Sequence, residues 1–196
     1  MMAITTDLIQ KLRNETGVGI MDAKKALQET DGDIQGAVVF LKKKGQKIAA
    51  KKQVRSTNEG FIGSYVHANG KIACLVAIAC ESDFVAKTED FKKLAHDIAM
   101  QITAVNPQYI SPDEIPEDIL AKEKEIIEEQ LKNEKKPEKV IDKIVSGKLE
   151  KYYSEVCLMK QPFIKEDKKT VEELIQENVM KLGENIKIKE FTRIEL

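Results

Sequence analysis

The sequence has no tryptophan, and aromatic residues make up only 5% of it. Proteins that bind single-stranded nucleic acid stack its bases on aromatic side chains, so this scarcity argues against such a surface. Charged residues are frequent, at 33%, but they nearly cancel to a formal net charge of −1. We therefore expect no direct nucleic-acid partner and no attraction to a membrane surface.

Cysteine and histidine are also scarce. Cys74, Cys80 and Cys157 include no Cys-x-x-Cys pair, and neither His67 nor His96 stands at metal-ligand spacing from them. An odd number of cysteines, two of them within an apolar run, predicts buried free thiols in a reducing cytosol. We expect no metal site and no cofactor.

Targeting and membrane-spanning segments are missing as well. The N-terminal residues M-M-A-I-T-T-D lack the basic start and the apolar core of a signal peptide. No apolar run is long enough to span a bilayer. The expectation is a soluble, cytoplasmic protein whose 196 residues suffice for one or two domains with a buried core.

A first domain, residues 1–53, has the pattern of three short helices in a compact bundle similar to ubiquitin-associated domains. The second helix is predicted over residues 22–29. The predicted caps and stops, in chain order, are Thr6, Gly17, Asp33 and Gly45. The predicted inward side chains are Leu8, Ile9, Leu12, Ala23, Ala26, Leu27, Ile34, Ala37, Val38 and Leu41.

The loop between the first two helices reads G-V-G-I-M. Its apolar residues Val18, Ile20 and Met21 have little room inside so small a bundle, so some of them should be exposed as a contact surface. The alternative is that all three are core. The Gly-x-Gly is not a phosphate loop, because no strand precedes it and no Gly-Lys-Ser/Thr follows.

A second domain, residues 60–196, follows a polar linker at residues 54–59. Two strands, residues 61–67 and 71–80, are joined by an Asn-Gly pair that is typical of tight hairpin turns. A terminal strand at residues 186–194 adds to them and makes a three-stranded antiparallel sheet. The predicted fold class is α+β.

Helices fill the rest of the second domain. One carries a strong 3.6-residue period through Phe91, Leu94, Ala95, Ile98 and Ile102. Two charged segments, residues 117–135 and 137–159, form a short helical hairpin, with residues 125–129 and 134–136 facing water. Thr170 is the predicted cap of the last helix.

The most distinctive stretch is E-S-D-F-V-A-K, residues 81–87. It follows an uncharged apolar run, residues 72–80, that is short enough for a buried strand, and Thr88 after it can cap a helix. Asp83 and Phe84 would then lie in a tight strand-to-helix turn, where a rigid sheet presents side chains to another molecule. The alternative is that Phe84 folds back to seal the sheet edge while Asp83 caps the helix.

Three parts of the chain together resemble the elongation factor Ts family. They are T-G-V-G-I-M-D-A-K-K-A-L at residues 16–27, E-S-D-F-V-A-K-T-E-D-F at residues 81–91, and a tail. The tail contains S-G-K-L-E-K-Y-Y-S-E-V-C-L-M-K-Q-P-F, residues 146–163, and G-E-N-I-K-I-K-E-F, residues 183–191. The similarity covers the whole chain in the right order, on the predicted elements.

The resemblance implies a guanine-nucleotide exchange factor of protein biosynthesis that acts on elongation factor Tu and makes or breaks no bond. Its partner would be Tu in GDP-bound and nucleotide-free form. The segment that wedges into the GTPase domain of Tu near its magnesium site would be Ser82, Asp83, Phe84 and Val85. The N-terminal positions that grip this domain would be Arg13, Ile20 and Met21, joined by Val18 from the same loop.

Two residues depart from the family pattern. Ser82 stands where threonine is usual and Ile20 where methionine is common, and both replacements are of similar size. At 196 residues the chain resembles the shorter members of the family. These complete a pseudo-symmetric core by dimerising, so we expect a two-fold homodimer.

A first alternative function is an adaptor, with a ubiquitin-associated-like module tethered to an unrelated α+β domain. An adaptor would bind through Val18, Ile20 and Met21. In that case Asp83 and Phe84 would be dispensable, which distinguishes it from an exchange factor.

A second alternative is an enzyme with a nucleophilic side chain. One candidate site pairs Cys80 with His67. Another combines Ser82 with His96 and Asp83. A thiol at the end of an apolar run is more typical of inert packing, and no oxyanion-type glycine loop adjoins it.

Overall fold

The computed structural model describes residues 4–133 and 138–196. In chain order the elements are α1 Thr6–Thr16, α2 Ile20–Glu29, α3 Ile34–Lys52, β1 Glu59–Val66, β2 Ile72–Cys80, α4 Asp83–Ala86, α5 Glu89–Val105, α6 Glu117–Asn133, α7 Glu138–Val156, β3 Pro162–Phe163, β4 Glu166–Thr170, α8 Val171–Leu182 and β5 Lys187–Glu195. The predicted α+β fold class is confirmed.

Helices α1 to α3 form the expected bundle. Its core consists of Leu12, Val18, Ala23, Ala26, Leu27, Ala37 and Leu41. Asp33 caps α3 as predicted, since its carboxylate accepts hydrogen bonds from two backbone N–H groups of the first turn. Isolated helices of this length are marginal in water, so the shared apolar core is what holds them together.

Two helix starts in the bundle differ from the prediction. The cap of α1 is Thr5 and not Thr6: the Thr5 hydroxyl accepts a hydrogen bond from Leu8 N at 3.3 Å, and Thr6 is already helical. Adjacent threonines offer the same capping chemistry, and the extended backbone of the first one decides between them. Helix α2 begins at Ile20 instead of residue 22.

The third helix runs past its predicted end. Gly45 does not stop α3, which continues to Lys52. Gly45 is buried where α3 packs on α8, and a β-carbon there would lie 3.6 Å from Met180 Sδ. Beyond it, Ile48 and Ala49 pack on the core of the second part of the chain. The small residue therefore permits close helix packing, and a continuous helix joins the bundle to the sheet.

The predicted three-stranded antiparallel sheet has the strand order β1-β2-β5. At the β1–β2 turn, Gly70 has a φ of 66° and Asn69 Oδ1 accepts a hydrogen bond from Lys71 N at 3.0 Å. The side chains of the central strand that face the helices are Cys74, Val76, Ile78 and Cys80. They form one core with α5 and α8.

Helix α5 lies against β1 and β2 with the predicted face inward. Its buried residues include Phe91, Leu94, Ala95, Ile98 and Ile102. The closest approach is at Gly63, where an added β-carbon would lie 2.5 Å from Ala95 O and 2.8 Å from Ala95 Cβ. Since no side chain tolerates such distances, the strand and the helix meet there only because residue 63 is glycine.

Helices α6 and α7 form the predicted hairpin around Ile127, Leu131 and Leu149. Ile127 is thus buried although it lies in the stretch predicted to face water, because two paired amphipathic helices need an apolar seam. The charged stretch predicted at residues 134–136 lies outside the described residues. Within the described ranges, no helix is both long enough and apolar enough to cross a membrane.

A small sheet of β3 and β4 lies between α7 and α8, and the sequence pattern does not predict it. The buried side chain of Gln101 on α5 anchors it, donating to Pro162 O at 3.1 Å and accepting from Ile164 N at 2.8 Å. Thr170 then caps α8 as predicted, and Glu173 completes a capping box. Strands this short show no alternation from which to predict them.

The substitution Gly63→Ala is expected to lower the free energy of unfolding by roughly 1–3 kcal/mol, because the methyl group would overlap Ala95. Urea unfolding followed by circular dichroism measures this. Gly147→Ala is the matched control: it lies within α7 with open space around its β-carbon, so it should stabilise by roughly 0.5–1 kcal/mol. Effects of the same sign and size would contradict the close approach of β1 and α5.

Candidate functional site

The connection from β2 to α5 contains a single helical turn, α4. Ser82 is its N-cap, since the Ser82 hydroxyl accepts a hydrogen bond from Val85 N at 3.4 Å. Thr88 caps α5 as predicted, accepting from Phe91 N at 3.3 Å. Two successive caps therefore turn the expected tight connection into a helical turn that leads directly into a long helix.

Phe84 points away from the protein. Its side chain is 77% exposed, whereas the next two residues, Val85 and Ala86, are buried in the main core. The interpretation in which Phe84 seals the sheet edge is wrong, because its two neighbours make the core contact of this turn. An exposed aromatic ring on a fixed turn is the kind of anchor that fills a pocket in a partner.

Asp83 lies beside Phe84 and is also exposed. Lys87 Nζ donates a hydrogen bond to Asp83 Oδ2 at 2.6 Å from one helical turn further on. This hydrogen bond and the ammonium charge lower the pKa of the Asp83 carboxyl and, in return, raise the pKa of Lys87. The helix cap is Ser82 rather than Asp83. Because its pKa is lowered, the exposed Asp83 carboxyl is ionised at neutral pH.

Glu184 fixes the start of the turn, and no sequence pattern singles it out. Its Oε2 accepts hydrogen bonds from the backbone N–H groups of Glu81 and Ser82, both at 3.0 Å. Its Oε1 accepts from the Ser82 hydroxyl at 2.5 Å. Ser82 and Glu184 are 102 positions apart in the sequence, so no local sequence pattern reveals the hydrogen bonds between them. The sequence feature that marks the position of Glu184 is the G-E-N stretch, in which Gly183 ends α8.

A second set of contacts joins the turn to the end of α3. Asn185 N donates to Glu81 Oε1 at 2.7 Å, and the Asn185 side chain donates to Arg55 O at 2.8 Å. The Arg55 guanidinium lies 3.4 Å from Glu81 Oε2. The hydrogen bond from Asn185, followed by the Arg55 charge, lowers the pKa of the Glu81 carboxyl. Asn185 and Arg55 thus hold the side chain of Glu81, the residue that directly follows β2.

The loop between α1 and α2 exposes two of its three apolar residues. Ile20 is 56% exposed and Met21 76%, both in the first turn of α2. Val18, at 7%, is part of the bundle core, and its carbonyl accepts a hydrogen bond from Arg13 Nε at 3.4 Å. Val18 and Arg13 therefore support the loop from within, and Ile20 and Met21 form its surface.

The predicted site residues form two groups on one scaffold. The first is the turn after β2 and the second is the bundle loop. Lys181 on α8 lies between the two groups. Its Cδ would be 3.7 Å from a β-carbon added at Gly17, in the loop between α1 and α2. Its Nζ is 2.7 Å from Asp90 Oδ1, in the first turn of α5. Together with the packing of α3 on α8, this sets the position of one group relative to the other.

Neither candidate nucleophilic site is assembled within residues 4–133 and 138–196. The Cys80 thiol donates to Ser82 O at 3.1 Å, and burial raises its pKa. The Ser82 hydroxyl is bound to Glu184. His67 and His96 are exposed, and the Nδ1 atom of each lies within hydrogen-bond distance of a β1 residue.

Known proteins resemble this chain over nearly its whole length. The family model described as Elongation factor TS matches residues 9–196. Proteins named Elongation factor Ts from Maridesulfovibrio salexigens and Thermotoga neapolitana are each 50% identical over 195 residues, which is 100% of this chain and 95% and 98% of theirs. The Elongation factor Ts of Syntrophus aciditrophicus is 51% identical over 195 residues, covering 100% of this chain and 97% of that protein.

These matches place the protein among the translation elongation factors. The chain belongs to the elongation factor Ts family. The resemblance seen in the three sequence stretches is thereby confirmed.

The buried thiols give a test of the local structure. Burial raises the pKa of Cys74 and of Cys157 to about 11 from an ordinary value of 9.0, and it also raises that of Cys80. At pH 8, Cys74 and Cys157 of the native protein should therefore react with an aromatic disulfide reagent about 100-fold more slowly than in the urea-unfolded chain, and Cys80 should also react more slowly. One rapidly reacting equivalent in the native protein would contradict the burial of the thiols.

Proposed function

We propose that this protein is a guanine-nucleotide exchange factor that binds elongation factor Tu carrying GDP and promotes GDP release. It then holds nucleotide-free Tu until GTP binds. The observation that carries the proposal is the 77% exposed Phe84 ring beside the ionised Asp83, on a capped and anchored turn. The action is one of binding, and no covalent bond is made or broken.

Phe84 supplies free energy for opening the nucleotide site. Burying a phenylalanine side chain in an apolar pocket stabilises a complex by roughly 1.5–3 kcal/mol. Because Ser82 and Glu184 hold the turn before binding, little of this is lost in ordering the chain. It offsets the displacement of the Tu segment that orients the magnesium ligands, since magnesium requires near-octahedral coordination.

Asp83 adds a negative charge to the same contact. Its partner Lys87 is exposed, and ion pairs of this kind are weak, so the carboxylate readily exchanges Lys87 for a polar group near the magnesium site. Coupling between the two ligands of Tu is reciprocal: if the factor weakens GDP binding, GDP weakens binding of the factor by the same ratio. The next nucleotide therefore expels the factor.

The first domain, residues 1–53, holds the partner while the core domain opens the site. Ile20 and Met21 are adjacent and largely exposed, and they form the proposed grip. Arg13 and Val18 support this loop through their hydrogen bond and through the bundle core. Two separate contacts allow binding and opening to be weakened independently.

We also propose a two-fold homodimer through the open face of the sheet. The large, exposed apolar side chains on that face are Ile62, Val66, Leu75 and Ile194. The strand register places them together, on the side opposite the core residues of β2. Two twisted sheets stack face to face about 10 Å apart and bury such residues. A second copy offers the same face, as a two-fold axis requires.

Release of fluorescent GDP from elongation factor Tu, in excess unlabelled nucleotide, tests the exchange function. The wild-type protein should accelerate release. Phe84→Ala should lower the maximal rate about tenfold or more, because roughly 1.5 kcal/mol of binding free energy is lost. Met21→Ala should mainly raise the concentration needed for half-maximal acceleration. Val54→Ala, which removes an exposed apolar side chain outside both contacts, is the matched control.

Each outcome of this assay has a distinct meaning. No acceleration by the folded wild-type protein would contradict the proposed function and favour the adaptor. Acceleration that is unchanged by both Asp83→Ala and Phe84→Ala would leave exchange in place but move its site elsewhere. Since the substituted side chains are exposed, unfolding free energies should stay within about 0.5 kcal/mol of the wild type.

Sedimentation velocity tests the homodimer. The wild-type protein should sediment as a dimer at micromolar concentration, and Leu75→Lys should convert it to monomer, because a charge would be buried between the sheets. Ile126→Lys places the same charge on an exposed position of α6 and should leave the dimer intact. A monomeric wild-type protein, or equal effects of both substitutions, would refute the stacked-sheet arrangement.

A further inference from the structure

Glu184 lies in the four-residue connection, residues 183–186, between α8 and β5. Gly183 ends α8 with a φ of 78°, and β5 begins at Lys187. The half-buried Glu184 carboxylate turns back toward the end of β2 and accepts three hydrogen bonds, from Glu81 N, Ser82 N and the Ser82 hydroxyl. Both carboxylate oxygens are thus used inside the protein.

These contacts orient the cap of α4. The first N–H groups of a helix have no partner within the helix, and Ser82 supplies one to Val85 N. A hydroxyl has one proton, and here Ser82 donates that proton to Glu184 and accepts from Val85 with a lone pair. Glu184 therefore sets the rotamer from which Ser82 caps the helical turn that carries Phe84.

We propose that Glu184 is the positioning residue of the exchange reaction: it fixes Ser82 so that Phe84 is presented in the orientation that opens the partner's nucleotide site. This rests on the proposed function. Glu184 acts through Ser82 and not by contact with Tu, because both of its oxygens are already engaged by the turn.

A mechanism of this kind affects opening more than binding. The bundle surface at Ile20 and Met21 has no hydrogen bond to Glu184 among the described residues, so it should still hold the partner when Glu184 is changed. What is lost is the fixed orientation of Phe84, and with it the part of the binding free energy that is realised only in the opened complex.

The test uses Glu184→Gln, Ser82→Ala and the double variant, in the full-length protein. Glutamine keeps the size of the side chain but leaves one carbonyl oxygen for three donors. The control is Glu177→Gln. Glu177 lies within α8 and pairs with Lys169, whereas Glu184 follows the end of that helix. GDP release from elongation factor Tu is measured over a range of factor concentrations, which separates the maximal rate from the half-saturating concentration.

The maximal rate should fall about tenfold in Glu184→Gln, as expected for loss of a hydrogen bond to a charged group, with the half-saturating concentration changed less than about twofold. The double variant should be slowed by less than the product of the two single effects, because the two side chains share one hydrogen bond. Amide hydrogen exchange of Ser82, Val85 and Ala86, whose N–H groups are hydrogen-bonded in this turn, should become at least about tenfold faster, while that of residues 91–102 stays unchanged.

Contrary outcomes are distinguishable. A wild-type protein that does not accelerate release overturns the proposed function, and the role of Glu184 with it. Acceleration by the wild type that is equally strong in Glu184→Gln overturns the positioning role alone. A rise in the half-saturating concentration with no change in maximal rate, or faster amide exchange throughout the core, would show a binding or a general structural role and would also overturn it.

Discussion

The burial of β2 is the constraint on which the rest of the structure depends. Its inward side chains meet those of α5 and α8 in one apolar cluster. Because β2 is the central strand and pairs with β1 on one side and β5 on the other, its register fixes which side chains of both neighbours face the helices. The chain leaves the sheet at Cys80, and the direction of this exit decides where the following turn lies. The position of Phe84 is therefore a consequence of core packing, even though Phe84 itself takes no part in the core.

The turn combines a tightly held backbone with an apolar ring that adds nothing to folding. Natural proteins are only marginally stable, and a phenylalanine in water contributes no burial to offset the entropy of ordering the chain around it. The residues that hold the backbone of the turn are polar. Glu184 and Asn185, in the connection before β5, form hydrogen bonds with Glu81 at the start of the turn. Their hydrogen bonds leave Val85 and Ala86 free to fill the core. Rigidity and exposure, which oppose each other in most surface loops, are obtained together because different residues provide them.

Much of the fold could be predicted from the sequence, because its signals are local. The 3.6-residue period of α5, the Asn69-Gly70 turn and the caps at Asp33, Thr88 and Thr170 need no knowledge of distant contacts. What could not be predicted depends on tertiary contacts. Gly45 looks like a helix stop until α8 lies against it, and the role of Glu184 requires a partner 102 residues away. The residues of the site were likewise visible as a motif, but the direction of Phe84 was not, because the same turn contains two apolar residues that point inward.

Helix α3 belongs to two apolar cores at once. Ala37 and Leu41 lie in the bundle, while Ile48 and Ala49 pack on the core beneath the sheet. Its 19 residues span roughly 28 Å at 1.5 Å per residue. One residue inserted between the two contacts would lengthen this rod very little, but it would rotate one end relative to the other by about 100°. The number of residues in α3 therefore fixes the rotation of the bundle relative to the sheet. Substitutions on the outer surface of the helix leave this rotation unchanged, whereas an insertion or a deletion changes it.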